Sequence, residues 1–119
     1  APDAAGCYEA LVRAATVAIA GDSVIEPRHE RHVTAWGEDA PERAVALVGE
    51  IIYAWDADRF LVADARVEAT GDRVEAHLRG EEFDARRHDI EREVKAATHH
   101  RARFEATEGG WLAQIVFDL

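Results

Sequence analysis

The sequence predicts an α+β fold: a mostly antiparallel mixed sheet of about five strands, with two helices packed on one face. Three observations predict it. Apolar residues recur at helical spacing from Cys7 to Ile19 and again from Ala44 to Trp55. Other segments alternate with the period of a strand. Turn signals at Thr70-Gly71-Asp72-Arg73 and Glu108-Gly109-Gly110 separate later strands so closely that hairpins must join them, and hairpins make neighbours antiparallel.

Each element has a local reason. Pro2-Asp3 opens the first helix, and Gly21 ends it. Its buried face is Cys7, Leu11, Ala15 and Ile19, flanked by Tyr8 and Val12. Glu30 to Trp36 is a short strand, with Val33 and Ala35 on one side and Thr34 and Trp36 on the other. Gly37-Glu38-Asp39 turns the chain; Asp39 is the N-cap of the second helix and Pro41 lies in its first turn. Ala44, Leu47, Val48, Ile51, Ile52 and Trp55 form that helix's buried stripe. Phe60 to Ala69 is a strand, and Val74, Ala76 and Leu78 line the next one, which Gly80 ends. Glu81 to Ile90 reads as an irregular charged loop. Val94 to Ala106 is too long for one regular strand and predicts a bend or bulge. The end, Trp111 to Leu119, alternates Trp111, Ala113, Ile115 and Phe117 against Leu112, Gln114, Val116 and Asp118. It reads as a strand held inside the core.

At 119 residues the chain is expected to be one domain, residues 1–119. Its apolar fraction of 48% and charged fraction of 32% are those of a globular protein. Net charge is −10, from 24 acidic and 14 basic residues. That argues against direct binding of a nucleic-acid backbone, which needs clustered Lys and Arg. The arginines are interleaved with acids, as in Asp84-Ala85-Arg86-Arg87-His88-Asp89. A lone Cys7 excludes an internal disulfide and a thiolate cluster, and reads as a buried core residue. No apolar run approaches the roughly 18 residues of a membrane helix, and no signal peptide is evident, so a cytoplasmic protein is expected.

Candidate chemistry is sparse. His29 and His32 lie three apart, which on a strand puts them on opposite faces. His99 and His100 diverge for the same reason. Asp56 and Asp58, after the second helix, could bind an ion, but their commoner role is that of helix-terminating turn residues. Asp84, His88 and Asp89 belong to the charged loop, whose ordinary reading is a solvated face. Lys95 is a single cation in an apolar run. If Leu119 is the true end, its carboxylate lies beside Asp118 and concentrates oxygen ligands suited to a hard cation. A small hydrolase built on His88, His99 or His100 is disfavoured: Ser23 lies in a loop, Cys7 faces the core, and no third metal ligand is identifiable.

The run Arg87-His88-Asp89-Ile90-Glu91-Arg92-Glu93-Val94-Lys95-Ala96-Ala97-Thr98-His99-His100, with Trp111 and the ending Val116-Phe117-Asp118-Leu119, resembles the archease family. Gly37-Glu38-Asp39, Ile51-Ile52-Tyr53 and Glu81-Glu82-Phe83-Asp84 resemble its other motifs in consistent order. The resemblance implies an accessory, chaperone-like protein rather than an enzyme. It would activate the RNA-splicing ligase, which joins a cyclic-phosphate RNA end to a 5′-hydroxyl using GTP and manganese, in tRNA splicing and RNA repair. It also implies an association with a tRNA methyltransferase. The family's metal site implies Asp118 and the Leu119 carboxylate as ligands of a divalent cation, calcium foremost, with magnesium or manganese as alternatives. Lys95 matches a lysine needed for partner activation, and His88, Glu93 and His100 fall in the same motif. His99 departs from the family's tyrosine.

An N-terminal H-T-A-D strand of the family has no counterpart here, and the sequence contains no Met. The two readings are a chain that starts after that strand and a paralogue that has discarded it. Either weakens the cation site by one carboxylate. Either also leaves a sheet edge open, for which a homodimer or an added partner strand is expected. The alternative function is an archease-like interaction or oligomerisation module without a working metal site.

Overall fold

A computed structural model describes residues 3–119. The expected start at Pro2 lies outside the described residues, but Asp3 caps the first helix, accepting the Gly6 N–H at 2.7 Å. That helix, α1 (Ala4–Ala20), ends at Gly21, whose φ of 59° suits glycine. Strand β1 (His29–Trp36) follows, then α2 (Ala40–Asp58), capped by the Asp39 carboxylate on the Glu42 N–H at 2.8 Å. The remainder is β2 (Phe60–Thr70), β3 (Arg73–Glu82), β4 (Ala96–Thr107) and β5 (Gly110–Asp118). The chain is therefore α+β with antiparallel strands and two helices.

The five strands divide between two sheets. One has the order β1-β3-β2, and the other is the β4-β5 hairpin. The physical reason is the segment 83–95, which carries the chain away from the end of β3 before β4 begins. No hairpin joins β3 to β4, so nothing forces them to pair. Each helix touches both sheets: α1 packs on β2 and reaches β5, while α2 packs on β1, β2 and β3 and lies along β4. The core is one cluster in which both expected helical stripes are buried, together with Val74, Ala76 and Leu78 of β3. Stacking of Tyr8 on Phe104 (ring centres 4.0 Å apart) and contact of Phe104 with Trp111 (5.6 Å) fasten the hairpin to α1.

Several features differ from the sequence reading. β3 continues through Gly80 to Glu82. Gly80 is required there for room: a Cβ would stand 1.9 Å from the Leu61 carbonyl oxygen, where β2 is bulged between Val62 and Asp64. α2 includes Asp56 and Asp58 in its last turn, and Asp58 pairs with Arg31. β4 starts at Ala96 rather than Val94. β5 keeps the expected alternation but has no fully buried residue, and Leu119 is exposed, so the chain's end lies at the surface. A hairpin without a third strand leaves its apolar side chains half covered.

The expected bulge in β4 is present. Thr98 pairs with Val116 and Arg103 with Gln114, so five steps along β4 answer two along β5. The surplus lifts His99, His100, Arg101 and Ala102 out of the ladder. Arg101 takes φ 56°, and the Gln114 amide donates to its carbonyl at 2.8 Å.

Candidate functional site

The predicted site residues fall in three places. Lys95 and Asp118 are brought together: the Lys95 N–H donates to the Asp118 carbonyl at 2.8 Å, and Ala96 is the ladder partner of Asp118. Leu119 follows at the same end. Val94 is 1% exposed, which turns Glu93 and Lys95 outward on either side of it. His100 lies farther along, exposed in the β4 bulge, with its N–H on the Thr98 hydroxyl at 3.0 Å. His88 is elsewhere, at the end of β3.

Lys95 has a second distinction that composition could have revealed. Among the 14 basic residues it is the one lysine. Its ammonium makes no ion pair among the described residues. It borders an open groove of about 320 Å³ between α2 and β4, floored by Val45, Gly49, Ile52 and Ala97 and edged by Tyr53 and Asp56. Tyr53 is 66% exposed. The arrangement presents a compact, unneutralised positive charge beside an apolar strip at the free end of the hairpin.

His88 is buried, and so is Glu81. The Asp84 N–H donates to His88 Nδ1 at 2.9 Å, so the ring proton sits on Nε2 and is given to Glu81 Oε2 at 3.0 Å. The Glu81 carboxylate also accepts the Glu26 N–H at 2.7 Å and a guanidinium fork from Arg87, with Arg28 at 3.4 Å. These donors hold the Glu81 carboxyl down at about 2, the Arg87 hydrogen bond foremost, against a desolvation that pushes it up. The reciprocal effect raises Arg87. Asp84 is lowered too, chiefly by the Arg86 N–H.

The charged stretch from Glu81 is thus only partly a solvated face. Its first acid and its histidine form a buried polar node that pins the segment leading to Lys95. Farther along, Asp89 exchanges hydrogen bonds with the Ser23 hydroxyl at 2.9 and 3.2 Å, and the Glu91 N–H donates to the Ile19 carbonyl at 2.7 Å. Sequence reasoning missed Glu81. The available signal was its spacing, with Arg87 and His88 six and seven residues on.

The sequence profile of the Archease protein family matches residues 1–119. This chain belongs to the archease family. Similar relatives include the protein archease of Methanopyrus kandleri, 34% identical over 99 residues, covering 80% of this chain and 71% of that one. The protein archease of Pyrococcus furiosus is 30% identical over 117 residues, covering 94% and 82%. The crystal structure of an archease, described as a possible chaperone, from Thermotoga maritima shares the fold. Its TM-score is 0.59 at 20% identity, over 94% of this chain and 83% of that one. No helix among the described residues is long and apolar enough to cross a membrane.

A divalent cation at Asp118 and the Leu119 carboxylate is implied by the family resemblance. Asp118 is exposed, and no group of three or more His, Cys, Asp or Glu among the described residues could hold a metal. Calcium takes six to eight oxygens. The residues of this archease chain around Asp118 do not fit a closed cation site.

Proposed function

We propose that this archease chain is an accessory protein that activates an RNA-splicing ligase in tRNA splicing and RNA repair. In this reading it acts in the cytoplasm and performs no turnover chemistry of its own. The observation that carries the proposal is the placement of Lys95: backbone-tied to Asp118, turned outward by Val94, and unpaired beside the α2–β4 groove. A ligase that handles GTP and phosphate-ended RNA gathers anionic groups, which an ammonium can orient. Glu93 flanks that charge, and His100 stands on the same hairpin. His88 contributes by holding the approach segment rather than by touching the partner, because its ring is buried. A tRNA methyltransferase is a further partner within this proposal.

The test is RNA ligation by the cognate ligase under multiple-turnover conditions, with and without this chain. Several products per ligase are expected with it, against about one without. No gain, alongside a working archease from a relative, would refute the proposal.

A second reading, an interaction or oligomerisation module, is favoured by the edges. β2 is blocked on its outer side by the Glu9 carboxylate, which accepts the Val67 N–H at 2.9 Å. β5 has a ladder on one side only, and such an edge is a template for another strand. Analytical ultracentrifugation is expected to show reversible dimers as concentration rises. A single monomeric species throughout would rule the edge out as a contact.

A further inference from the structure

The outward face of the three-stranded sheet takes no part in the proposal above, yet it carries an open groove of about 760 Å³. Ladder register sets three side chains in one row across it. His32 of β1 pairs with His77 of β3, and His77 pairs with Arg66 of β2. Both histidines are exposed, and their ring centres are 4.8 Å apart with planes inclined at 53°.

That spacing has a chemical meaning. With metal–nitrogen bonds of about 2.0–2.1 Å, two imidazoles on adjacent positions of one ion hold their ring centres roughly 4.5–5.2 Å apart. We propose that His32 and His77 form a cross-strand chelate for a borderline divalent ion of the zinc, nickel and copper class, for which imidazole is a suitable ligand. Register holds the two Cβ positions opposite each other on paired strands, so the exposed rings need only turn about χ1 and χ2 to share an ion. The remaining positions on the ion are open to water, since no third His, Cys, Asp or Glu among the described residues closes the site.

The surrounding charge suits a cation. Glu30, Asp64, Glu68 and Glu75 share this face with Arg66, Arg73 and Arg79. Arg79 is committed to Asp64 through two hydrogen bonds, at 2.9 and 2.6 Å. Glu75 lies 3.8 Å from His32 Nε2 and 3.9 Å from Arg73. It lowers the potential at the histidines while staying within ion-pair distance of Arg73. Arg66 opposes the ion from the β2 side, which places the chelate on the β1 side of His77. This site is distinct in chemistry from the hard-cation site implied at Asp118, because nitrogen ligands select a different metal class.

The experiment is zinc titration of the full chain by calorimetry, with imidazole ¹⁵N resonances followed by NMR. One zinc per chain is expected, shifting the ring nitrogens of His32 and His77 and leaving those of His29, His88, His99 and His100 in place. His32→Ala and His77→Ala each lower affinity by at least about tenfold, one of two ligands being lost, while a His99→Ala/His100→Ala double variant binds as the parent does. Both sites of substitution are exposed, and an unchanged melting temperature without zinc verifies folding. Absence of saturable binding overturns the proposal. So does either single variant that binds like the parent, or loss of binding in the double variant.

Discussion

Replacing Lys95 by methionine is expected to leave the fold intact and to remove most of the ligase activation proposed for this chain. The stem of the side chain is retained, and the contact that fixes its position, the backbone N–H to the Asp118 carbonyl, does not involve the side chain. Only the charge is lost. Because Lys95 is exposed and makes no ion pair within the described residues, the loss carries little stability cost. If the ammonium faces an anionic group of the partner, its removal lowers activation at least about tenfold, or some 1.4 kcal/mol. Lys95→Arg restores activation only in part, since a flat guanidinium fork does not reproduce a compact point charge. Melting curves and multiple-turnover ligation of the same variants separate the two effects. Full activation by Lys95→Met would remove the central observation behind the proposed function.

Glu81→Ala has the largest expected effect on stability. It deprives the buried His88 Nε2–H, the Glu26 N–H and the Arg87 fork of one shared acceptor. Leaving such donors unpaired costs about 2–4 kcal/mol. In a domain of this size that lowers the melting temperature by roughly 10 °C. The same node makes stability depend on acid. The Glu81 carboxyl titrates at about 2 in the folded chain against an ordinary 4.5. Its contribution is therefore complete above about 4.5 and is lost as pH falls through about 2. Glu81→Gln, which keeps the shape and cannot ionise, should lose stability less steeply than the parent between those values. Urea unfolding of both chains at pH 6, 4 and 3 checks this. Parallel profiles would mean that another group governs the acid response.

The helices were legible because their reasons are local. The buried stripe of α1 from Cys7 to Ile19 and that of α2 from Ala44 to Trp55 follow from spacing alone, and Asp3 and Asp39 cap as short polar residues do at helix starts. The β2–β3 turn at Gly71 was equally local, as was the excess length that announced the β4 bulge. The family was legible too, through motifs near Lys95 and at Phe117-Asp118.

Less legible was whatever depends on residues far apart in sequence meeting in space. Glu81 looked like one more member of a charged run. Its burial is decided by Glu26 and Arg28 approaching from before β1, and by the loop returning Arg87 and His88 onto it. Asp56 and Asp58 read as a turn because aspartate is a poor helix former and a frequent turn residue. Arg59 in the left-handed region, stacked on Trp55 at 4.7 Å, carries the helix through them. His32 gave no sign of its partner, since register with β3 supplies His77 across 45 residues.

The sequence by itself determined the fold class, both helices, the strand order along the chain, the family, and Lys95 with Asp118 as residues of interest. Each rests on periodicity, capping or a contiguous motif, all of which act within a few residues. Only the tertiary structure decided that the strands separate into two sheets, that Glu81 and His88 are buried together, and that His32 faces His77. Those outcomes depend on strand register and on how the helices pack between the two sheets. They are set by summed long-range burial and hydrogen bonding, to which no short stretch of sequence holds the key.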